Sequence, residues 1–98
     1  GGSIAANKVV GSRGSGIVVA GGANTIVQNR ASGNRAGGIV VDGQNNTLAG
    51  NRASGNRGGG FRAAPCNVDA GKNKPRLVVP ACPTPAAAVL LATPDPLP

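Results

Sequence analysis

A chain of 98 residues, 40% of them hydrophobic, forms at most one domain with a small core. Its formal net charge is +7, from seven Arg and three Lys against three Asp, with no Glu and no His, so a nucleophile–base pair built on histidine is excluded. Phe61 is the one aromatic residue and Met, Trp and Tyr are missing, so the core must be made from Val, Ile, Leu and Ala; no apolar run reaches the length of a membrane span.

From the N-terminus, Gly2-Ser3-Ile4 and Asn7-Lys8-Val9 form a partial unit of a repeat that then runs clearly. Residues 14–35, laid on residues 36–57, are identical at 14 of 22 positions. A period in the low twenties marks a coil that stacks on copies of itself, and about three units is near the minimum for stability. In the first full unit Ile17-Val18-Val19 is β-branched and bounded by glycines, which reads as a strand; Thr25-Ile26-Val27 and Arg30-Ala31-Ser32 supply two more. The second unit repeats them as Ile39-Val40-Val41, Thr47-Leu48-Ala49 and Arg52-Ala53-Ser54. Phe61 opens a third, after which the copy degrades through Ala64-Pro65-Cys66-Asn67. No helical period appears in any window.

Three short strands per 22 residues describe one rung of a parallel β-helix. Alternation then assigns interior columns: Ile17, Ile39 and Phe61; Val19, Val41 and Ala63; Ile4, Ile26 and Leu48; and, narrower, Val9, Ala31 and Ala53. Asparagines recur at three corners, as Asn7, Asn29 and Asn51, as Asn34 and Asn56, and as Asn24 and Asn46. Asn tolerates left-handed turns, and stacked amides can bond the backbone and one another. These asparagines are read as structural.

The stretch Gly38-Ile39-Val40-Val41, Asn46-Thr47-Leu48, Asn51-Arg52-Ala53-Ser54-Gly55-Asn56 resembles the right-handed parallel β-helix repeat of pectate lyases, polygalacturonases, mannuronan epimerases and NosD-like proteins. The expected fold is therefore all-β, a short right-handed parallel β-helix of about three 22-residue rungs over residues 1–63. An irregular terminal turn spans 64–82 and a Pro-rich tail spans 83–98. The chain opens inside a repeat, which reads as a piece of a longer protein or a processed product. Ala86–Ala92 is apolar and could lie over the open end of the coil; the alternative for 83–98 is a linker.

Enzymes of the resembled superfamily work with clustered acids, often with calcium. This chain offers Asp42, Asp69 and Asp95, well separated in sequence. One carboxylate at a time supplies neither the oxygen ligands of calcium nor the paired acids of a glycosidase. The expectation is a chain without catalytic residues of its own, without metal or cofactor, with Asp42 a turn residue. The glycine runs are turn material, since no helix or Gly-Lys-Ser/Thr follows them. The Asn-Arg-Gly-Gly-Gly-Phe-Arg stretch over 56–62 has the look of an RNA-binding segment but is short and sits in register with the repeat. An ice-binding face would need more stacked threonines than Thr25 and Thr47.

Cys66 and Cys82 lie 16 residues apart, a spacing that fits no zinc site. A disulfide stapling the last turn is the leading reading, suited to an extracellular or periplasmic compartment; two free thiols are the alternative. The strongest candidate site is a pair of basic ladders: Lys8, Arg30 and Arg52, and Arg13, Arg35 and Arg57, each stepping by 22. Such columns suit a polyanion, above all an acidic polysaccharide or cell-surface glycan, with nucleic acid less favoured; repetition of surface charge along with the core is the competing reading. Carbohydrate binding or surface adhesion is the expected function, with a fragment of a polysaccharide lyase or glycoside hydrolase as the alternative.

Overall fold

The computed structural model describes residues 1–82, in which ten short strands and no helix are found. The first turn holds β1 (Ser3–Ala5), β2 (Lys8–Val10) and β3 (Ile17–Val19). The second holds β4 (Thr25–Val27), β5 (Arg30–Ser32) and β6 (Ile39–Val41), and the third β7 (Thr47–Ala49), β8 (Arg52–Ser54) and β9 (Phe61–Ala63). A last strand, β10 (Val68–Asp69), begins a shortened turn. Every third strand pairs in parallel, giving three sheets ordered β1-β4-β7-β10, β2-β5-β8 and β3-β6-β9.

The register of these sheets is the sequence period itself. Ile4 pairs with Ile26 and Ile26 with Leu48; Ile17 with Ile39 and Ile39 with Phe61; Ala31 with Ala53. Ile26, Ala31, Ile39, Val41 and Leu48 are fully buried, while Ile4, Ile17, Phe61 and Ala63 pack against them at the two ends. The four interior columns expected from alternation are thus the core. The alanine column is narrow because the backbone at Gly38 runs against it. A Cβ there would sit 2.7 Å from Ala53 Cβ and 2.5 Å from Asn56 Nδ2, so only glycine fits.

The asparagines form three axial ladders, with one difference from the expectation that they occupy left-handed backbone. Each is preceded by the left-handed residue instead. Ala6, Gln28, Gly50 and Lys72, with φ of 56°, 54°, 64° and 59°, stand before Asn7, Asn29, Asn51 and Asn73. Ala23, Asn45 and Cys66 stand before Asn24, Asn46 and Asn67, and Gly33 and Gly55 before Asn34 and Asn56. The left-handed residue turns the corner, and the next side chain then points inward. There its amide is buried and every valence is used: Asn51 Oδ1 accepts the N–H and the Nδ2 of Asn29, both at 3.0 Å. Asn51 Nδ2 in turn donates to Asn73 Oδ1 at 3.0 Å and to the Ile26 carbonyl at 2.8 Å.

Pairing continues beyond Ala63. Val68 and Asp69 lie opposite Thr47 and Leu48, Asn67 accepts from Asn46, and Lys74 bridges to Arg52. Between Asn46 and Asn67 the step is 21 residues rather than 22, which is why the copy looks degraded in sequence. Asp69 ends the Ile4–Ile26–Leu48 column, its Oδ1 accepting from the Gly71 N–H at 2.9 Å and from Asn73 Nδ2 at 2.7 Å. Leu77, 5% exposed, and Val79 close the core at this end. The suggested covering segment Ala86–Ala92 lies outside the described residues; Leu77 fills the role of an apolar plug here.

Cys66 and Cys82 are joined in a disulfide, their Cα atoms 4.4 Å apart, which ties the chain carrying Leu77 to the coil. Replacing both by Ser should lower stability by about 3 kcal/mol, the chain-entropy value for a loop of this length. Urea melts of oxidised wild type and the double variant measure it; identical midpoints would show that the plug holds without its staple.

Candidate functional site

The three sheets present different outer faces. On β2-β5-β8 the outward positions are Lys8 and Val10, Arg30 and Ser32, Arg52 and Ser54, with Val9, Ala31 and Ala53 turned in. Strand pairing puts Lys8 beside Arg30 and Arg30 beside Arg52, and the isolated bridge adds Lys74 beside Arg52. The first expected ladder is therefore a physical column, and it is one cation longer than the sequence suggests. The sequence signal for Lys74 is its spacing of 22 from Arg52, standing beyond a stretch in which the residue types no longer match the repeat.

Successive cations in this column sit at strand spacing, about 4.8 Å between backbones. Two like charges that close repel by about 1 kcal/mol in water, less in salt. The strands KVV, RAS and RAS carry no acid to offset this. A hydroxyl column, Ser32 and Ser54, runs parallel to the arginines on the same face. The result is a shallow open strip of cations and hydroxyls along the coil axis, suited to an extended ligand rather than an enclosed small molecule.

The second set is built differently. Arg13, Arg35 and Arg57 are exposed and follow the corner polar residues Ser12, Asn34 and Asn56. Their backbones stack: the Arg35 N–H donates to the Ser12 carbonyl and the Arg57 N–H to the Asn34 carbonyl, each at 3.0 Å. They lie across the Gly11, Gly33 and Gly55 corner from the first column, outside any strand. Both sets are brought into register by the same ladders.

The acids are not brought together. Asp42 is exposed just past β6, and its counterparts one turn away are Ala20 and Ala64. Asp69 is engaged in closing the C-terminal end, and Asp95 lies outside the described residues. Among the described residues no three His, Cys, Asp or Glu side chains cluster as metal ligands. No helix among them is long and apolar enough to cross a membrane.

Stacked parallel strands on a 22-residue period, with axial asparagine ladders, define a right-handed parallel β-helix, the hand that parallel crossovers take. The family model described as the right-handed β-helix region matches residues 1–73, and the chain belongs to that family. Comparison with curated proteins found no match, and neither did comparison with solved structures.

Proposed function

We propose that this β-helix binds acidic polysaccharide on its basic column and acts without catalysis, as a carbohydrate-recognition or surface-adhesion module of a secreted or periplasmic protein. The observation that carries the reading is the unbroken axial column Lys8–Arg30–Arg52–Lys74, flanked by serine hydroxyls. A polymer bearing one carboxylate per sugar offers a regular row of negative charge, and guanidinium groups grip carboxylates in bidentate fashion. Bound anions also relieve the like-charge repulsion along the column, so binding should stabilise the fold. Nucleic acid is the weaker partner, because single strands are held by base stacking on exposed aromatics and Phe61 packs on the core. The disulfide fits an oxidising compartment.

The test is titration with polygalacturonate at low salt. Arg30→Ala plus Arg52→Ala should weaken binding by about tenfold or more, since charge-assisted hydrogen bonds contribute about 1.5–3 kcal/mol each. The thermal midpoint of the free protein should hold or rise, because repulsion is removed. Unchanged affinity in the double variant would sink the reading. The second reading, a piece of a polysaccharide lyase or hydrolase, rests on Asp42 standing exposed at the end of β6; polymer cleavage by this chain, lost in Asp42→Asn, would establish it instead.

A further inference from the structure

The corner column Ala6–Gln28–Gly50–Lys72 has a gap in it. All four residues are left-handed, and Gln28 and Lys72 carry their side chains into solvent on either side of Gly50, which has none. The gap opens sideways onto the basic column. The resulting notch is lined by Arg30, Arg52, Lys72 and Lys74, with Gln28 on its far wall and no acid among its walls. Its floor is Asn29 and Asn51, whose amides are already spent on the ladder, so a ligand here would be met by the four cations. Elsewhere the column offers one cation per turn; at Gly50 two columns converge, because Lys72 joins from the corner.

We infer that the notch over Gly50 is an oxyanion subsite that takes a sulfate or phosphate monoester carried on a glycan, in preference to a carboxylate. The inference rests on the polysaccharide reading above and refines it. An esterified sulfate or phosphate presents three free oxygens pointing in different directions, matching cations that come from the basic column and from the corner. A carboxylate has two oxygens in one plane, and a single guanidinium engages both. The local charge density also suits a group that can carry close to two negative charges, as a phosphate monoester does.

The structure supplies its own control. Gln28 already sits at the same corner one turn earlier, with φ of 54° against 64° at Gly50. A Cβ at Gly50 would meet Gln28 Cγ at 3.5 Å, an ordinary contact. Gly50→Gln therefore copies an existing rung and fills the notch without changing the charge. Lys72→Gln removes the corner cation and copies the same rung.

The experiment measures binding of carboxymethyl dextran, dextran sulfate and dextran phosphate, matched in length and substitution, to wild type and to the two variants, with thermal melts to verify folding. Wild type should favour one or both esters over the carboxymethyl polymer by about tenfold, roughly the contribution of one charge-assisted hydrogen bond. Whichever ester is favoured identifies the source. Gly50→Gln should erase that preference while leaving carboxymethyl dextran affinity within about twofold. A preference that survives in Gly50→Gln overturns the notch and leaves the column standing. Equal affinity of wild type for all three polymers also overturns the notch alone. Failure of wild type to bind any of them overturns both proposals.

Discussion

Ile26→Asp should abolish folding at neutral pH. Ile26 is fully buried between Ile4 and Leu48, and the polar groups nearest the core, the asparagine amides, are committed to one another. The cations that could pair with a carboxylate, Arg30 and Arg52, are on strands whose charged positions face outward. An unpaired buried charge costs several kcal/mol even after relaxation, a large part of the 5–15 kcal/mol or so that stabilises a typical domain. The graded series separates charge from volume: Ile26→Val should cost about 0.5–1.5 kcal/mol and Ile26→Ala about 2–5. Thr25→Asp, one residue away on the exposed face, should stay within about 0.5 kcal/mol of wild type. Circular dichroism and urea melts read all four. A cooperative melt for Ile26→Asp near the wild-type midpoint would mean the column is not the core.

Asn51→Leu should cost about 2–5 kcal/mol, a large share of the stability of the fold, although it trades a polar residue for an apolar one of similar size. The variant leaves the Asn29 N–H without a partner in the interior, and takes one of two bonds from Asn29 Nδ2, from Asn73 Oδ1 and from the Ile26 carbonyl, which keeps its place in the β4–β7 ladder. A fully orphaned buried group costs about 1–3 kcal/mol, and the three half-satisfied ones add to it. The same change at the open end is the control. Asn7 is exposed and its amide gives one side-chain hydrogen bond, to Asn29 Oδ1, which keeps the Asn7 N–H as a second donor. Asn7→Leu should therefore cost about 1 kcal/mol or less. Equal effects at the two positions would show that propensity at the corner matters and that the buried network does not.

The Asn51 result bears on how the site is held. Arg52 follows Asn51 directly, as Arg30 follows Asn29 and Lys74 follows Asn73. The buried amide fixes where the next backbone N–H points, and the Arg52 N–H donates to the Asn29 carbonyl at 2.8 Å. The cation column is regular because the ladder beneath it is regular. Ligand recognition on the outside and polar satisfaction on the inside are set by adjacent residues of the same corner.

The period by itself determined the three sheets, their register, the four interior columns and the two basic sets. When residues 22 apart must stack, every repeated side chain meets its own copy, and no further information is needed. The ladder of Asn7, Asn29 and Asn51 was legible for the same reason, and the disulfide was one of two readings of the cysteine pair. What only the tertiary structure decided lies where the period breaks or where backbone geometry is not written in residue type. The step to Asn67 is one residue short and the residue types around it no longer match the repeat, so that Lys72, Asn73 and Lys74, although back at 22 residues from Gly50, Asn51 and Arg52, became further steps of their columns only in the structure. Gln28 and Lys72 adopt left-handed backbone that neither prefers, because the following asparagine must turn inward and its four side-chain hydrogen bonds outweigh the strain; Ala6 takes the same turn before Asn7. Leu77 follows no repeat, and its place under the core is set by the disulfide and by the apolar surface that the last turn leaves open.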